Sequence, residues 1–341
     1  MTAGMTPKAR MGDFLSGKPV DHVPCVPLIL NHAARVIGVP ISEHATNGST
    51  MGRAHVAAWR RYRQDLVTIF SDTGILSEAL GTRLHFPPDD VPRFKAPAVA
   101  DPSDAGKLTR VDPRRAGRLP VYLEAIRHCV SEVGGDVFVS CCISAPFSTA
   151  AALRGTAVFA RDLYKNPGLA HDLLEKGLEL IEDLSAAIIE AGGIPVLVDP
   201  VASGSVISRK SYEEFAHPYT ARAFARIAAL GSVPILHICG RTSTIIDLMA
   251  SSGAAALSVD LISLAEAKAR VGNSVCLMGN VRPAETLLGG TPDDVRREAA
   301  QCLADCADSP RGFILATGCE VPIETPPANI HALIETARTP R

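Results

Sequence analysis

Three side chains that can bind a metal ion stand at the ends of two apolar runs. His237 and Cys239 are two residues apart in the run Val233–Gly240, and Cys319 follows the run Phe313–Gly318. Residues two apart on a β-strand share a face, because successive side chains point to opposite sides. One imidazole and two thiolates form a ligand set that suits zinc. The spacing therefore predicts a zinc site built by two strands.

Three protein ligands would leave one coordination position of the zinc open, which is typical of a catalytic site and not of a structural one. A substrate thiol in that position loses its proton at neutral pH and becomes a nucleophile. The alternative is that His237 is a satisfied core histidine and both cysteines are small buried hydrophobic residues. A third candidate ligand on a second strand end favours the metal site.

Composition excludes several classes of function. The 341 residues carry a formal net charge of −2 and only 5% aromatic side chains, unlike a nucleic-acid-binding protein. The N-terminus lacks the apolar core of a secretory signal, and no apolar run approaches the roughly 20 residues that span a bilayer. Nine cysteines in such a chain indicate reduced thiols. We expect a cytoplasmic protein with neither nucleic-acid nor membrane partners.

Eight short apolar runs rich in β-branched residues alternate with helical patterns, and this arrangement predicts an α/β fold. Continuous apolarity, as in Ile194–Val198, suits strands that are buried on both faces. The count of eight favours a (β/α)₈ TIM barrel, with a doubly wound open sheet as the alternative. The predicted strands are Val23–Leu30, Leu66–Phe70, Val137–Ile143, Pro195–Asp199, Val233–Cys239, Ala256–Asp260, Ser274–Asn280 and Phe313–Gly318.

The chain shows no internal repeat, linker or sharp charge shift, so we predict one domain over residues 1–341 with an irregular N-terminal arm. The proline-rich segment Thr82–Pro113 is predicted to be a loop or hairpin excursion after the second strand. It is a candidate for a lid or a partner surface.

Acidic residues after the second strand are further candidates for the site. Asp72 and Glu78 are predicted to face the mouth of the barrel as catalytic groups. They would anchor substrate or orient a metal ligand, and Glu78 is also a candidate for a weak fourth zinc ligand. The alternative is that both are carboxylates at a helix N-terminus.

Polar residues end other predicted strands. Asp199, Asp260 and Asn280 follow the fourth, sixth and seventh strands, so they would ring the entrance and hydrogen-bond a substrate. The alternative is that they cap the helices that follow. Arg241 is a candidate to hold an anionic group such as a sulfonate, or else forms a surface salt bridge.

Several motifs together resemble the uroporphyrinogen decarboxylase superfamily over nearly the whole chain. They are the segments Gly17–Pro24, Phe70–Asp72, Glu78–Gly81, Ala145–Phe147 and Leu153–Gly155. The resemblance implies a (β/α)₈ barrel. The His-x-Cys after the fifth strand and the Gly-Cys after the eighth are similar to the zinc methyltransferases of this superfamily that act with corrinoid proteins. The decarboxylases lack this cysteine pair.

This resemblance implies a zinc ion that activates a small thiol such as coenzyme M, which takes a methyl group from methylcobalamin. The reverse half-reaction, in which a corrinoid demethylates a small methyl donor, stays open. No Asp-x-His-x-x-Gly corrinoid-binding motif occurs in these residues. We therefore expect the corrinoid on a separate protein, where Asp199, Asp260 and Asn280 would also meet its rim. Relatives of this kind are often homodimers.

The decarboxylases hold porphyrinogen carboxylates with arginines in a Met-Arg-Gln-Ala-Gly-Arg stretch, where this chain reads Leu30–Arg35. Only Arg35 of the arginine pair is present, and Asn31 replaces the other. A neutral amide cannot make the bidentate carboxylate contact of arginine. We therefore predict that Asn31 and Arg35 contact a smaller substrate. A metal-free decarboxylase-like enzyme and a non-catalytic binding barrel remain the alternative hypotheses.

Overall fold

The computed structural model describes residues 4–339, so residues 1–3 and 340–341 of the predicted domain lie outside the described residues. Eight parallel strands form a nearly closed barrel in the order β1-β8-β7-β6-β5-β4-β3-β2. The (β/α)₈ prediction is confirmed over the doubly wound alternative. The strands are β1 (Cys25–Val26), β2 (Leu66–Ile69), β3 (Phe138–Ser144), β4 (Ile194–Val198), β5 (Ile235–Ile238), β6 (Ala256–Val259), β7 (Cys276–Val281) and β8 (Phe313–Thr317).

The first strand is shorter than the predicted Val23–Leu30. Pro24 and Pro27 flank β1, and proline cannot donate a hydrogen bond to a neighbouring strand. β1 pairs with β8. The other edge of β1 is connected to Asp65, the residue before β2. The backbone N–H of Asp65 donates to Cys25 O at 2.9 Å, and its carboxylate accepts a hydrogen bond from Cys25 N at 2.7 Å.

Helices lie between the strands and cover the barrel. The predicted apolar face of Leu173, Leu174, Ile181, Leu184 and Ile188 is buried in one long helix. The α-helices are Pro7–Leu15, His32–Ile37, Ile41–Thr46, Gly48–Tyr62, Ile75–Ala79, Leu119–Val133, Pro146–Arg154, Thr156–Lys165, Pro167–Glu190, Arg209–Ser211, His217–Ala229, Ile246–Ser251, Leu264–Val271, Pro292–Cys306 and Pro327–Arg338. Short 3₁₀ segments are Pro102–Lys107 and Pro200–Ala202, and π-helical turns are Tyr212–Ala216 and Pro283–Leu288.

The excursion predicted over Thr82–Pro113 is a hairpin. Its antiparallel strands are Arg83–His85 and Arg93–Ala96, and the 3₁₀ segment Pro102–Lys107 follows. The hairpin strands are mostly exposed. Across residues 4–339, none of the helices combines the length and the apolarity that a membrane crossing requires.

The N-terminal arm is partly helical, which corrects the prediction of an irregular arm. The Thr6 side chain accepts a hydrogen bond from Ala9 N and caps the helix Pro7–Leu15, where proline occupies a first-turn position that needs no N–H. Met11 and Phe14 of this helix pack against the side chains inside the barrel. The arm therefore closes the barrel at the end where the strands begin.

A candidate metal centre at the mouth of the barrel

The structure brings together the three residues predicted to bind zinc. One ligand atom from each of His237, Cys239 and Cys319 lies within 4.8 Å of the other two, and we call these residues the ligand cluster. His237 lies in β5, Cys239 follows β5, and Cys319 follows β8. The imidazole is buried and both cysteines are half-buried. The cluster therefore stands at the carboxyl ends of the strands, where barrel enzymes carry their reactive groups.

The local backbone explains why His237 and Cys239 converge. Ile235, His237 and Cys239 alternate with outward-facing residues, and all three line the barrel interior. Gly240 then turns with φ +74°, a left-handed conformation that favours glycine. A Cβ on Gly240 would lie 2.8 Å from the hydroxyls of Ser203 and Ser205. The turn after Cys239 therefore needs glycine for conformation and for space.

The His237 ring is held by a residue that the sequence did not single out. Its Nδ1 lies 3.0 Å from Ser258 Oγ on the neighbouring strand β6. This contact leaves Nε2 as the nitrogen that can coordinate a metal ion. Metal-binding histidines usually engage their second nitrogen in this way, which fixes the tautomer and the ring orientation.

The two thiols are close enough to influence each other's protonation. A hydrogen bond from Cys319 lowers the pKa of Cys239. The same hydrogen bond, together with burial, raises the pKa of Cys319 above its usual range. Two sulfurs that share a proton in this way offer a site where a cation can replace that proton. The donor set fits zinc, with three ligands and one open position.

A cavity of about 180 Å³ begins at the ligand cluster and extends into the barrel. We call it the inner cavity. Its wall is almost entirely apolar carbon, with a few hydroxyl and thiol groups and one carboxyl group. The lining residues are Leu28, Leu30, Leu66, Thr68, Phe70, Thr73, Ser140, Cys142, Val196, Val198, Pro200, Ile235, His237, Cys239, Ser258, Met278, Cys319 and Glu320. A small molecule in this cavity would touch the cluster directly.

Asp260 and Asn280 support the turns around the cluster. The Asp260 carboxylate accepts a 2.8 Å hydrogen bond from Gly240 N, immediately after Cys239. A Cβ on Gly318 would lie 2.7 Å from Asp260 Oδ1, so Asp260 also packs against the turn that precedes Cys319. Asn280 Nδ2 donates to the carbonyl oxygens of Asp260 and Ile262 at 2.8 and 2.7 Å. Both residues hold loops in place, and neither lines the inner cavity.

Asp199 lies behind the cluster and is almost fully buried. Its backbone N–H donates to His237 O at 2.9 Å. Its Oδ1 accepts hydrogen bonds from Ser148 N and Oγ, whereas Oδ2 has no hydrogen-bond partner among residues 4–339. Burial raises the pKa of Asp199 to about 7, although the bonds from Ser148 oppose this shift.

This buried carboxyl group predicts a pH dependence of stability. Between its ordinary pKa of 3.8 and the folded value of about 7, the folded protein keeps a proton that the unfolded chain has released. Raising the pH therefore favours the unfolded chain. We expect the free energy of unfolding of the metal-free protein to fall from about pH 4 to about pH 7, by up to about 1.4 kcal/mol per pH unit from this group. Urea unfolding at a series of pH values measures the slope.

The control for this prediction is Asp199→Asn, which cannot ionise. The variant should lose this part of the slope and keep the contributions of all other groups. An unchanged slope in Asp199→Asn would show that Asp199 does not retain its proton in the folded protein.

Asp72 and Glu78 are both paired with one arginine. Arg118 donates to the Asp72 carboxylate at 2.9 and 3.2 Å and to Glu78 Oε2 at 2.7 Å. Ser71 Oγ donates a further hydrogen bond to Asp72. Burial raises the pKa of Glu78, and Arg118 opposes this shift. The structure thus places the buried Asp72 and the half-buried Glu78 in one ion-pair network with Arg118, outside the ligand cluster and outside the lining of the inner cavity.

Asn31 holds the acidic residue next to Cys319. Its backbone N–H and its side-chain amide donate to Glu320 Oε1 at 3.0 and 2.9 Å, and the amide also donates to Ser71 O. Burial raises the pKa of Glu320, which these hydrogen bonds partly offset. Asn31 therefore orients a carboxyl group that lines the inner cavity, and does not itself line it.

The two candidate arginines lie away from the inner cavity. Arg35 pairs with Glu324 at 3.1 Å, and both side chains are 62% exposed. Arg241 is exposed, and its backbone N–H donates to Ser205 Oγ. Neither arginine belongs to the lining of the cavity that starts at the cluster.

Three residues around the site were not predicted from the sequence. Ser258 lies two residues before Asp260, so strand periodicity could have placed it inside the barrel. Glu320 directly follows Cys319, and its position next to a predicted zinc ligand could have indicated that it lies at the site. Arg118 lies at the start of a helix after the hairpin, and no local pattern connects it with the acidic residues it contacts.

Comparisons with known proteins give matches along nearly the whole chain. The family described as uroporphyrinogen decarboxylase (URO-D) matches residues 6–340. The methylcobamide:CoM methyltransferase MtaA of Methanosarcina barkeri is 29% identical over 336 residues, which cover 96% of each chain. The uroporphyrinogen decarboxylase of Aliivibrio fischeri is 25% identical over 286 residues, which cover 81% of this chain and 79% of the relative. A solved methyltransferase structure from Methanosarcina mazei superposes with a TM-score of 0.89 at 29% identity, covering 98% of both chains.

Proposed function

The chain belongs to the uroporphyrinogen decarboxylase family, and from that premise we propose that it is a zinc-dependent methyltransferase that exchanges a methyl group between a corrinoid and a small thiol. The ligand cluster of His237, Cys239 and Cys319 carries this proposal, because its three ligand atoms lie within 4.8 Å of one another. The similarity to a relative named for methyl transfer from methylcobamide to CoM supports the reaction class.

The residues of the cluster would hold zinc through one nitrogen and two sulfurs. Zinc, when bound, supplies a Lewis acid that lowers the pKa of a substrate thiol. Ser258 keeps the His237 ring oriented for coordination. Asp260 holds the turn after Cys239 through its hydrogen bond with Gly240 N. The apolar wall of the inner cavity would disfavour water beside the reacting sulfur.

The transfer balances as a nucleophilic displacement. The thiol releases its proton to solvent, and the sulfur attacks the methyl carbon of the methylated corrinoid. The carbon–sulfur bond forms while the carbon–cobalt bond breaks. The electron pair of the broken bond stays on cobalt, which goes from Co(III) to Co(I), and the products are a methyl thioether and the demethylated corrinoid. The same site serves the reverse half-reaction, in which Co(I) takes the methyl group from a small donor.

The corrinoid is proposed to arrive on a separate protein that docks at the mouth of the barrel, where the ligand cluster lies. Asp199, Asp260 and Asn280 hold the surrounding loops and so would act on corrinoid and substrate through the shape of the entrance. The proposal also includes a homodimer of this chain.

Decarboxylation of a porphyrinogen receives less support from the site. A substrate with many carboxylates requires cationic anchors. The lining of the inner cavity contains no lysine or arginine, and all of its residues belong to the described part of the chain. Asn31 stands where the decarboxylases carry an arginine, and it is engaged with Glu320.

The proposal predicts about one zinc per chain and a zinc-dependent methyl transfer from methylcobalamin to a thiol. Metal content measured by plasma mass spectrometry tests the first part, and the change in the methylcobalamin absorption spectrum on demethylation tests the second. Coenzyme M is the reference acceptor, because the Methanosarcina barkeri relative is named for it. Chelation should remove both zinc and activity, and zinc should restore them. A protein that holds no zinc, or one that converts uroporphyrinogen instead, would contradict the proposal.

A further inference from the structure

The inner cavity restricts the chemistry of the molecule that can reach the ligand cluster. It is bounded at the mouth by His237, Cys239 and Cys319 and runs down between the strands to Leu66 and Ile235. A molecule whose sulfur approaches the cluster can therefore place its remaining atoms inside the barrel. Its organic group would lie against the aliphatic side chains of the wall.

The space exists because several inward-facing positions carry small side chains. Ser140 and Cys142 in β3 and Ser258 in β6 line the cavity at positions where barrels usually place bulky branched residues. The opposite end is closed by Met11 and Phe14 of the N-terminal helix, which pack against the inner side chains. The cavity therefore opens toward the ligand cluster and is blocked at its base.

Two hydroxyl groups in the wall, those of Ser140 and Ser258, are already engaged with protein atoms. Ser140 Oγ donates to Val67 O at 3.1 Å and to Thr68 Oγ1 at 3.0 Å. Ser258 Oγ is paired with His237 Nδ1. These two serines offer little to a polar ligand, because a new hydrogen bond would compete with an existing one. The cavity consequently presents an apolar surface.

The cavity also lacks a positive side chain that could compensate an anionic group. No lysine or arginine is among its lining residues, which all lie within residues 4–339, and Arg35 and Arg241 are exposed elsewhere. Besides the ligand cluster, its ionisable side chains are the carboxyl group of Glu320 and the thiol of Cys142, and neither of them can carry a positive charge. A buried sulfonate or carboxylate without a cationic partner is strongly disfavoured. The charge distribution thus opposes a thiol with an anionic tail.

The volume sets the size of the organic group. The inner cavity measures about 180 Å³. An engineered apolar cavity of about 150 Å³ in another protein stays dry and binds benzene. The inner cavity therefore has room for a group of about five or six carbon atoms.

We propose that the methyl-exchanging substrate is an uncharged thiol with a short apolar tail, or its methyl thioether, and that the tail occupies the inner cavity. This inference rests on the proposed methyl-transfer function and narrows its substrate class away from anionic acceptors such as coenzyme M. The chemical step is the balanced displacement given above, with an alkyl or aryl thiol as RSH.

A series of thiols on the zinc-loaded full-length protein tests the inference by calorimetric binding. Ethanethiol, propanethiol and butanethiol are expected to bind progressively more tightly, by about fourfold per methylene group, because each one buries another apolar group. Mercaptoethanol, which is polar and neutral, separates polarity from charge. Coenzyme M is expected to bind at least tenfold more weakly than butanethiol. Equal or tighter binding of coenzyme M would overturn the inference.

Two substitutions at one cavity position supply the matched variants. Val196→Phe fills the space, and we expect it to weaken butanethiol binding at least tenfold while zinc content stays at about one per chain. Val196→Ala enlarges the space, so it should retain butanethiol and gain affinity for bulkier thiols such as cyclohexanethiol. Unchanged butanethiol affinity in folded, zinc-bound Val196→Phe would place the tail outside the cavity.

The failure of this inference differs from the failure of the proposed function. A zinc protein that methylates coenzyme M in preference to every neutral thiol keeps the function and contradicts the substrate class. A protein without zinc, or one that neither methylates a thiol nor demethylates a methyl thioether, contradicts the function itself.

Discussion

Replacing Cys319 with serine is expected to remove zinc from the protein and to lower methyl transfer from methylcobalamin by at least about a hundredfold. The ligand cluster has only three donors, and the nearby acids are engaged, with Asp260 bound to Gly240 N and Glu320 to Asn31. A serine hydroxyl is a poor zinc ligand compared with a thiolate. Losing only a partner of a metal ligand typically costs about 10–100-fold in affinity or activity, and losing a ligand costs more. Plasma mass spectrometry and the methylcobalamin assay measure the two effects.

Two further variants make this result specific. Cys142→Ser changes another buried thiol that lines the inner cavity but lies outside the ligand cluster, so it should retain about one zinc per chain. Ser258→Ala removes the partner of His237 Nδ1 and should give an intermediate loss, with zinc affinity reduced about 10–100-fold. Full zinc content in Cys319→Ser would show that Cys319 is not a ligand.

Replacing Arg118 with methionine is expected to lower the free energy of unfolding by about 3–5 kcal/mol. Arg118 and Asp72 are only 8% and 6% exposed, and Glu78 shares the same guanidinium. Removing one partner of a buried ion pair leaves an uncompensated charge, and this change is far more costly than losing a surface pair. Urea unfolding of the variant, compared with the unmodified protein, measures the loss.

The control is Arg115→Met, three residues earlier, where the arginine is 89% exposed and lies 4.0 Å from Asp112. That change should stay within about 0.5 kcal/mol. Zinc content per folded chain should be unchanged in Arg118→Met, because the hydrogen bonds of Arg118 go to Ala45, Ser71, Asp72 and Glu78 and not to the ligand cluster. A small stability loss combined with a large loss of methyl transfer would instead support the catalytic role of Asp72 and Glu78 that was predicted from the sequence.

The ligand cluster and the ion-pair network of Arg118 differ in how far they could be predicted from the sequence. His237 and Cys239 could be paired from the sequence, because the two-residue period of a strand puts them on one face. Asp72 and Glu78 also follow a strand, but their environment depends on Arg118, which lies 46 and 40 residues later in the chain. No periodicity connects residues at that separation.

In the fold, too, some features follow from local sequence patterns and others depend on distant residues. Apolar runs and helical spacing predicted eight strands and favoured a barrel over an open sheet, because burial on both faces selects continuous apolar segments. They did not predict the short length of β1, which Pro24 and Pro27 limit, or the way the N-terminal helix closes the barrel through Met11 and Phe14. These features depend on contacts between distant segments.

The sequence by itself determined the eight strands of the barrel, the strand ends that carry His237, Cys239 and Cys319, and the chemistry those three side chains can offer. Those properties follow from residue type and from the period of one element at a time. Only the tertiary structure decided that Arg118 binds Asp72 and Glu78, that Asn31 holds Glu320, and that the barrel encloses an apolar cavity below the cluster. Each of these depends on side chains from several strands and loops meeting in one volume, so their combined size and charge exist only in the folded protein.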